Sequence, residues 1–224
     1  MAKLILMRHG QSVWNQKNLF TGWVDVPLTE KGIEEALQGG KKIRDIPIDI
    51  VYVSSLIRAQ MTAFLAMLHH SSEKVCVLQH ADKSKLQQWA TIHDKQVEES
   101  MIPVYQAWEL NERMYGDLQG LNKEAVKKEF GEEQFKLWRR SYATPPPNGE
   151  SLKMTAERTL PFFKSTIIPL LEKGNNVFIS AHGNSLRAIL MDLDKLSEEE
   201  VVKLEIATGD PIIYSFEQGK WNRS

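Results

Sequence analysis

Apolar and polar positions fall along this chain in blocks whose lengths separate short strands from longer helices. Lys3 to Met7 is a compact apolar run stopped by Gly10, the pattern of a strand buried on both faces. Residues 30–44 put Ile33, Ala36, Leu37, Gly40 and Ile43 on one side at helical spacing. Ile50 to Val53 is a second β-rich run, leading through SSLIRAQ into a helix with Leu56, Ala59, Ala63 and Met67 inward. Val177 to Ala181 is a third, followed by a helix from about Ser185 to Leu193. Ser197 with Glu200 forms a capping box that opens another helix, and Ile212 to Phe216 reads as the final strand. Strands alternating with helices predict an α/β fold: three layers, α/β/α, around a mostly parallel sheet. The functional crevice of such a sheet lies at the carboxyl ends of its strands.

Two stretches interrupt the pattern. Residues 69–103 are polar and mixed, with a helix expected near Lys83–His93 and no role that the sequence assigns. TPPPNG (144–149) is a stiff turn before a long helical pattern, which Pro161 and Pro169 should kink or split. There is no internal repeat. The expected organisation is one domain over 1–224, carrying an extra segment at about 69–103.

Composition narrows the function classes. The formal net charge is −1, so no global field favours nucleic acid or an anionic membrane, and any anion binding must come from locally placed basic residues. Cys76 is the only cysteine, which excludes an intrachain disulfide and a Cys-based zinc site. No apolar stretch reaches the roughly 18 residues of a membrane span. MAKLILM lacks a cleavage pattern and reads as a strand rather than a leader, so a cytoplasmic protein is expected.

The candidate chemistry lies where apolar strands give way to glycine. MRHGQS and SAHGNS both end a strand in His-Gly, an amide and a serine, and both histidines are expected at the crevice edge. A neutral imidazole is a nucleophile near neutral pH. Aimed at phosphorus, it needs cationic donors around the oxygens that carry the developing charge. Arg8 adjoins His9, and Arg58 follows the second strand in SSLIRA. Gly10, lacking a Cβ, would let an anion approach the backbone. The helix after His182 would add N–H groups and its positive end.

These residues, with LILMRHGQSVWNQKNLFTGWVDVPLTEKG (4–32), SSLIRA (54–59), WELNERMYGDLQGLNK (108–123), EQFKLWRRSYATPP (133–146), ESL (150–152), SAHGNSLRA (180–188) and EEEVVKLEIATGDPIIYSF (198–216), resemble the histidine phosphatase superfamily. The match is closest to its cofactor-dependent phosphoglycerate mutase branch. The resemblance implies that His9 is the phosphorylated nucleophile, that Arg8, Arg58 and His182 hold the phosphoryl group, and that Glu112 moves the substrate hydroxyl proton. Beside a phosphorylated His9, surrounding charge can raise the pKa of Glu112 toward neutrality. Asn15, Thr21, Gly22, Tyr115, Lys123, Arg139, Arg140, Gly183 and Asn184 match substrate-contacting positions, Arg139 and Arg140 as the clamp for a second charged end.

The implied reaction is interconversion of 3-phosphoglycerate and 2-phosphoglycerate in glycolysis and gluconeogenesis, through a phosphohistidine and 2,3-bisphosphoglycerate. The bisphosphate is also the implied primer, no metal is implied, and the partners are small phosphoglycerates acting on a monomer or homodimer. His69, His70, His80 and His93 show no ligand spacing. Bisphosphoglycerate mutase shares almost all of these residues. A simple phosphatase needs only one phosphate pocket, and a binding-only member would lack one of His9, His182, Arg8, Arg58 or Glu112. Departures from the branch are Gln11, the longer span between Arg58 and Glu112, the short turn before Glu150, and the end at WNRS. They lead to the expectation of a more open cleft, unless residues 69–103 fold over its mouth.

Overall fold

The computed structural model describes residues 1–80 and 85–223. β1 (Ala2–Arg8) leads into the one-turn α1 (Val13–Gln16) and then α2 (Glu30–Ile43). β2 (Ile50–Val53) and α3 (Ile57–Met67) follow, then β3 (Val75–Leu78), α4 (Lys85–Trp89), α5 (Lys95–Glu99) and β4 (Met101–Gln106). A polar middle section carries α6 (Lys123–Phe130) and α7 (Glu132–Arg140). α8 (Leu152–Phe162) and α9 (Ile168–Glu172) precede β5 (Val177–Ala181), α10 (Gly183–Asp194) and α11 (Glu198–Lys203), and β6 (Pro211–Glu217) and β7 (Lys220–Arg223) complete the order.

The strands form one sheet in the order β3-β4-β2-β5-β1-β6-β7. From β3 to β1 every neighbouring pair is parallel, while β6 and β7 are antiparallel. Alternation along β1 builds two cores: Leu4 and Leu6 enter the cluster under α8, α9 and α10, and Ile5 and Met7 the cluster under α2 and α3. The expected three-layer architecture is the observed one. No helix among the described residues is long and apolar enough to cross a membrane.

Several expectations change. β7, not the run at 212–216, ends the sheet. The segment 69–103 supplies β3, at the sheet's far edge, and the first half of β4 beside it, so its described part extends the fold instead of covering the cleft. The expected helix near Lys83–His93 lies partly outside the described residues, and what is described of it spans Lys85–Trp89. The two prolines do split the helix after TPPPNG: a π-helical turn, Phe163–Ile167, lies between α8 with Pro161 and α9 with Pro169.

The inward face of α2 is Gly32, Ala36, Gly39, Gly40 and Ile43, with Ile33 and Leu37 only half-buried. Small residues win that face because α2 closes on backbone. A Cβ on Gly32 would stand 2.1 Å from the Gln11 carbonyl oxygen, and one on Gly10 2.1 Å from the Gly32 carbonyl oxygen. Gly10 is therefore required for this backbone approach, which corrects the expectation that it admits an anion. Gly32→Ala should cost about 1–3 kcal/mol, the usual penalty of overpacking. Urea unfolding measures this, and a wild-type midpoint would show that the loop after His9 yields freely.

Candidate active site

The parallel register of β1 and β5 brings the two histidines together. Leu4 pairs with Val177 and Arg8 with Ala181, so His9 follows one strand where His182 follows its neighbour. The His9 amide donates to the Ala181 carbonyl at 3.0 Å, and the two rings lie 4.9 Å apart between centroids. Both are buried. His9 Nδ1 lies 2.7 Å from the Gly10 carbonyl oxygen. A carbonyl only accepts, so Nδ1 carries the proton and Nε2 keeps the lone pair. Burial, then the charges of Arg58 and Arg8, hold the His9 pKa well below the ordinary histidine value, the Gly10 bond opposing only in part. Burial, Arg58, His9 and Arg8 lower that of His182 in the same way. Ser54 Oγ, at the end of β2, meets His182 Nε2 at 2.7 Å.

Arg58 sits in the first turn of α3 and is buried, donating to the carbonyls of Val24 and Gly22 at 2.9 and 2.8 Å. Burial brings its pKa down to about 10, so it remains a cation at neutral pH. Arg8 donates to the Ile206 carbonyl at 2.8 Å. The Nε atoms of Arg8 and Arg58, Thr21 Oγ1 and His182 Nδ1 are buried without a hydrogen-bond partner. An unpaired buried polar atom costs about 1–3 kcal/mol. Arg8, Arg58 and Thr21 line the cleft beside His9, and their atoms are donors suited to an oxygen-rich ligand.

Glu112 comes off a 3₁₀ turn, Trp108–Leu110, beyond β4. Its Oε1 accepts from the amides of Arg113 and Asn184 and from Asn184 Nδ2 at 2.8, 3.1 and 2.8 Å. Burial pushes its pKa up, but these bonds and the charges of Arg8 and Arg58 prevail and hold it below the usual value. With His9 unphosphorylated, Glu112 is therefore heavily hydrogen-bonded as a carboxylate. Arg158, ion-paired to Glu150 at 2.8 Å, donates to the Glu109, Asn111 and Glu112 carbonyls and pins this loop.

The cleft, of about 190 Å³, is lined by Arg8, His9, Asn15, Thr21, Gly22, Arg58, Glu112, Tyr115, Lys123, Arg139, Arg140, Gly183 and Asn184, with His182 directly behind His9. Every expected site residue except His182 lines this cleft, and the His182 ring lies 4.9 Å from that of His9. No described residue of the 69–103 segment lines the cleft. Asn15 also closes a capping box with Ser12, so Ser12 serves α1. Gly183 stands between Arg8, Glu112 and Arg187, where a side chain would fill the cleft. Four lining residues were missed: Leu19, Phe20, Arg187 and Glu205. Arg187 was within reach, one helical turn beyond Gly183 on the same face of α10, whereas Glu205 gives no sequence signal. Arg113, also missed, stacks its guanidinium 4.6 Å from the Tyr115 ring centroid. Burial pushes the Tyr115 phenol up, but the charge of Arg113 together with side-chain hydrogen bonds to Arg113 and Asn184 brings its pKa below the ordinary value.

Comparison with known proteins agrees with this geometry. The family model of the histidine phosphatase superfamily (branch 1) matches residues 4–108 and 83–223. A 2,3-bisphosphoglycerate-dependent phosphoglycerate mutase of Protochlamydia amoebophila is 59% identical over 221 residues, 99% of this chain and 98% of that protein. The protein of the same name from Chlamydia muridarum is 56% identical over 224 residues, 100% of this chain and 98% of its own length. Among solved structures, Bacillus stearothermophilus YhfR superposes with a TM-score of 0.77 at 22% identity, covering 100% of this chain and 96% of that one, a likeness of fold. With its paired histidines on adjacent parallel strands and full-length relatives of this kind, the chain belongs to the histidine phosphatase superfamily (branch 1), alongside its 2,3-bisphosphoglycerate-dependent phosphoglycerate mutases.

Proposed function

We propose that this protein interconverts 3-phosphoglycerate and 2-phosphoglycerate, with His9 as the group that carries the phosphoryl in transit. The observation that carries the reading is the set of unpartnered buried polar atoms on the cleft wall beside a neutral imidazole, combined with a second cationic pole at Arg139 and Arg140. His9 Nε2 attacks phosphorus in line, and the bond from phosphorus to the departing oxygen breaks as the new bond forms. Arg8, Arg58 and His182 meet the three equatorial oxygens, where charge concentrates in flight. Glu112, ionised before reaction, takes the proton of the substrate hydroxyl as that oxygen accepts the phosphoryl group from His9, and returns it when the other phosphate moves back.

Lys123, Arg139, Arg140 and Arg187 add four further cations to the cleft wall, suiting a substrate charged at both ends. Asn15, Thr21, Gly22, Tyr115, Gly183 and Asn184 complete the wall and orient the three-carbon acid between the poles. 2,3-Bisphosphoglycerate, when bound, supplies the phosphoryl group that primes His9; the two cationic poles are the donor set such a bisphosphate requires. A phosphatase for simple monoesters has no use for the second pole.

A coupled assay with 3-phosphoglycerate should show turnover that rises sharply with a trace of 2,3-bisphosphoglycerate, and His9→Ala should lose both turnover and an acid-labile, base-stable phosphate on the protein. Phosphate labelling that persists in this variant would place the acceptor elsewhere. Glu112→Gln should keep the fold and slow transfer by about 10²–10⁴-fold, as loss of a general acid–base does; unchanged turnover would remove Glu112 from the proton path.

Because the pKa values of both buried rings are lowered, His9 and His182 should stay neutral at pH 6.5, where an ordinary histidine is half-protonated. Nitrogen-15 NMR of the imidazoles reads this directly. The sign for stability follows: the unfolded chain takes up these protons first as pH falls, so their contribution is complete above about pH 6.5 and declines below it. Rings that titrate in the ordinary range would contradict the buried, cation-flanked environment.

A further inference from the structure

Three arginines of the cleft reach it from three different elements, yet all dock on one short strip of backbone. Arg140, at the end of α7, donates to the Val202 carbonyl at 3.1 Å. Arg187, on α10, donates through Nε to the Leu204 carbonyl at 2.9 Å. Arg8, at the end of β1, donates to the Ile206 carbonyl at 2.8 Å. Val202 lies in the last turn of α11, where carbonyls lack intrahelical partners, and the chain beyond it is extended at Leu204. Positions 202, 204 and 206 thus present three acceptors to three guanidiniums. The strip is anchored in the core by Ile206, which is 3% exposed, and fixed to β1 by the bond from the Gly209 amide to the Arg8 carbonyl at 2.9 Å.

Inside the strip stands Glu205, the one carboxylate besides Glu112 on the described cleft wall. It accepts from Arg140 at 2.7 Å and lies 3.9 Å from Arg187. A negative charge facing a polyanion would weaken binding unless it served the cations beside it. Its bond falls on a different nitrogen of Arg140 from the one held by Val202, so two acceptors fix the plane of that guanidinium.

Resting on the reading of the site as a phosphoglycerate cleft, we propose that Glu205, with the carbonyls of residues 202–206, is a positioning residue that aims Arg140 and Arg187 at the distal anionic end of the substrate. The hydrogen-bond acceptor matters more than the charge. Holding a guanidinium by one edge leaves its other donors directed at the ligand and removes rotamer freedom that binding would otherwise have to suppress. The pole at His9 is held independently, by Arg58 on Gly22 and Val24. Arg8 shares only the Ile206 carbonyl with the strip, and Glu205 pairs with Arg140 and Arg187 alone, so Glu205 governs the grip on the carboxylate or second phosphate, not the transfer itself.

The test is a KM-against-kcat split on the full-length enzyme. Glu205→Ala should raise KM for 3-phosphoglycerate by about three- to tenfold, the range of one aimed but exposed ion pair, with kcat within about twofold of wild type. Glu205→Gln, which keeps an acceptor oxygen without the charge, should recover most of the lost affinity. Inhibition by inorganic phosphate, which needs only the His9 pole, should be unchanged in both. In an Arg140→Ala background the effect of Glu205→Ala should shrink to less than half. Independently of any substrate, the Arg187 Nε–H resonance should exchange faster with water in Glu205→Ala than in wild type. A lower KM in either variant would show that Glu205 competes with the substrate as a counter-anion and would overturn the proposal. So would an unchanged KM, an equal loss in Glu205→Gln, or a parallel loss of phosphate inhibition. Failure of the wild-type enzyme to turn over 3-phosphoglycerate would count instead against the mutase reading, leaving the arginine resonance as the test of positioning.

Discussion

Leu4 to Arg8 pair in parallel with Val177 to Ala181, and the position of every reacting group in the site depends on that register. The register is fixed because both strands are buried on both faces: Leu4 and Leu6 serve one core, Ile5 and Met7 the other, and Val177 and Ile179 oppose Phe178 likewise. A slip of one residue would exchange the two faces of a strand and place every side chain in the wrong core. Hydrophobic burial in the sheet thereby sets two imidazoles side by side at its carboxyl edge. The same burial makes protonation of either ring unfavourable, which arginine neighbours reinforce. Packing thus places the two imidazoles and also selects their protonation state.

A cleft lined by Arg8, Arg58, Lys123, Arg139, Arg140 and Arg187 must survive its own repulsion. The fold meets this mainly with backbone carbonyls. Arg58 rests on Gly22 and Val24, Arg8 on Ile206, Arg187 on Leu204 and Arg140 on Val202. A carbonyl dipole orients a guanidinium and offsets part of its desolvation, but it does not cancel the charge or titrate. A full set of carboxylate partners would have stabilised the apo site at the expense of its field. Carboxylates appear where a segment must be fixed outside the cleft, as Glu150 does for Arg158, and in the single exposed pair at Glu205.

Most of the chemistry was legible because it is local. A histidine after an apolar run lies at a strand end, an arginine in the first turn of the next helix faces the same edge, and short motifs keep these relations intact. What escaped depends on distant contacts. β3 and β4 were hidden in a polar stretch because an edge strand such as Val75–Leu78 is only half-covered and lacks the continuous apolar signal of β1. The need for Gly10 lay in its contact with Gly32 across a turn, which spacing along the chain does not expose. The lowered pKa of Glu112 depends on three hydrogen bonds, two of them from Asn184 on a helix far downstream. The Val202–Ile206 strip acts through main-chain oxygens, which every sequence possesses and none advertises.

The two poles of the cleft belong to different packing units, and this separation bears on how the site could serve two phosphate positions. The His9 pole is built on the central sheet. Of the distal pole, Lys123, Arg139 and Arg140 rise from α6 and α7, whose apolar side chains Val126 and Phe135 pack with Phe20 and Leu118 in a small cluster distinct from the two sheet cores, while Arg187 stands on α10. Arg139 and Arg140 occupy the carboxyl end of α7, where the helix dipole favours cations, and Glu132 and Glu133 the opposite end, where it favours anions. Their charge is therefore supported within the α7 unit itself. Across the cleft, this unit meets the sheet unit where Arg140 crosses to Val202 and Glu205, and again where Leu19 bridges to Asn122. Any change in the distance between the poles as a substrate turns end for end must be accommodated at these joints. The arginine joint is made of side-chain bonds, as is the bond from Arg113 to the Arg139 carbonyl, and such bonds can lengthen or re-form without breaking backbone pairing.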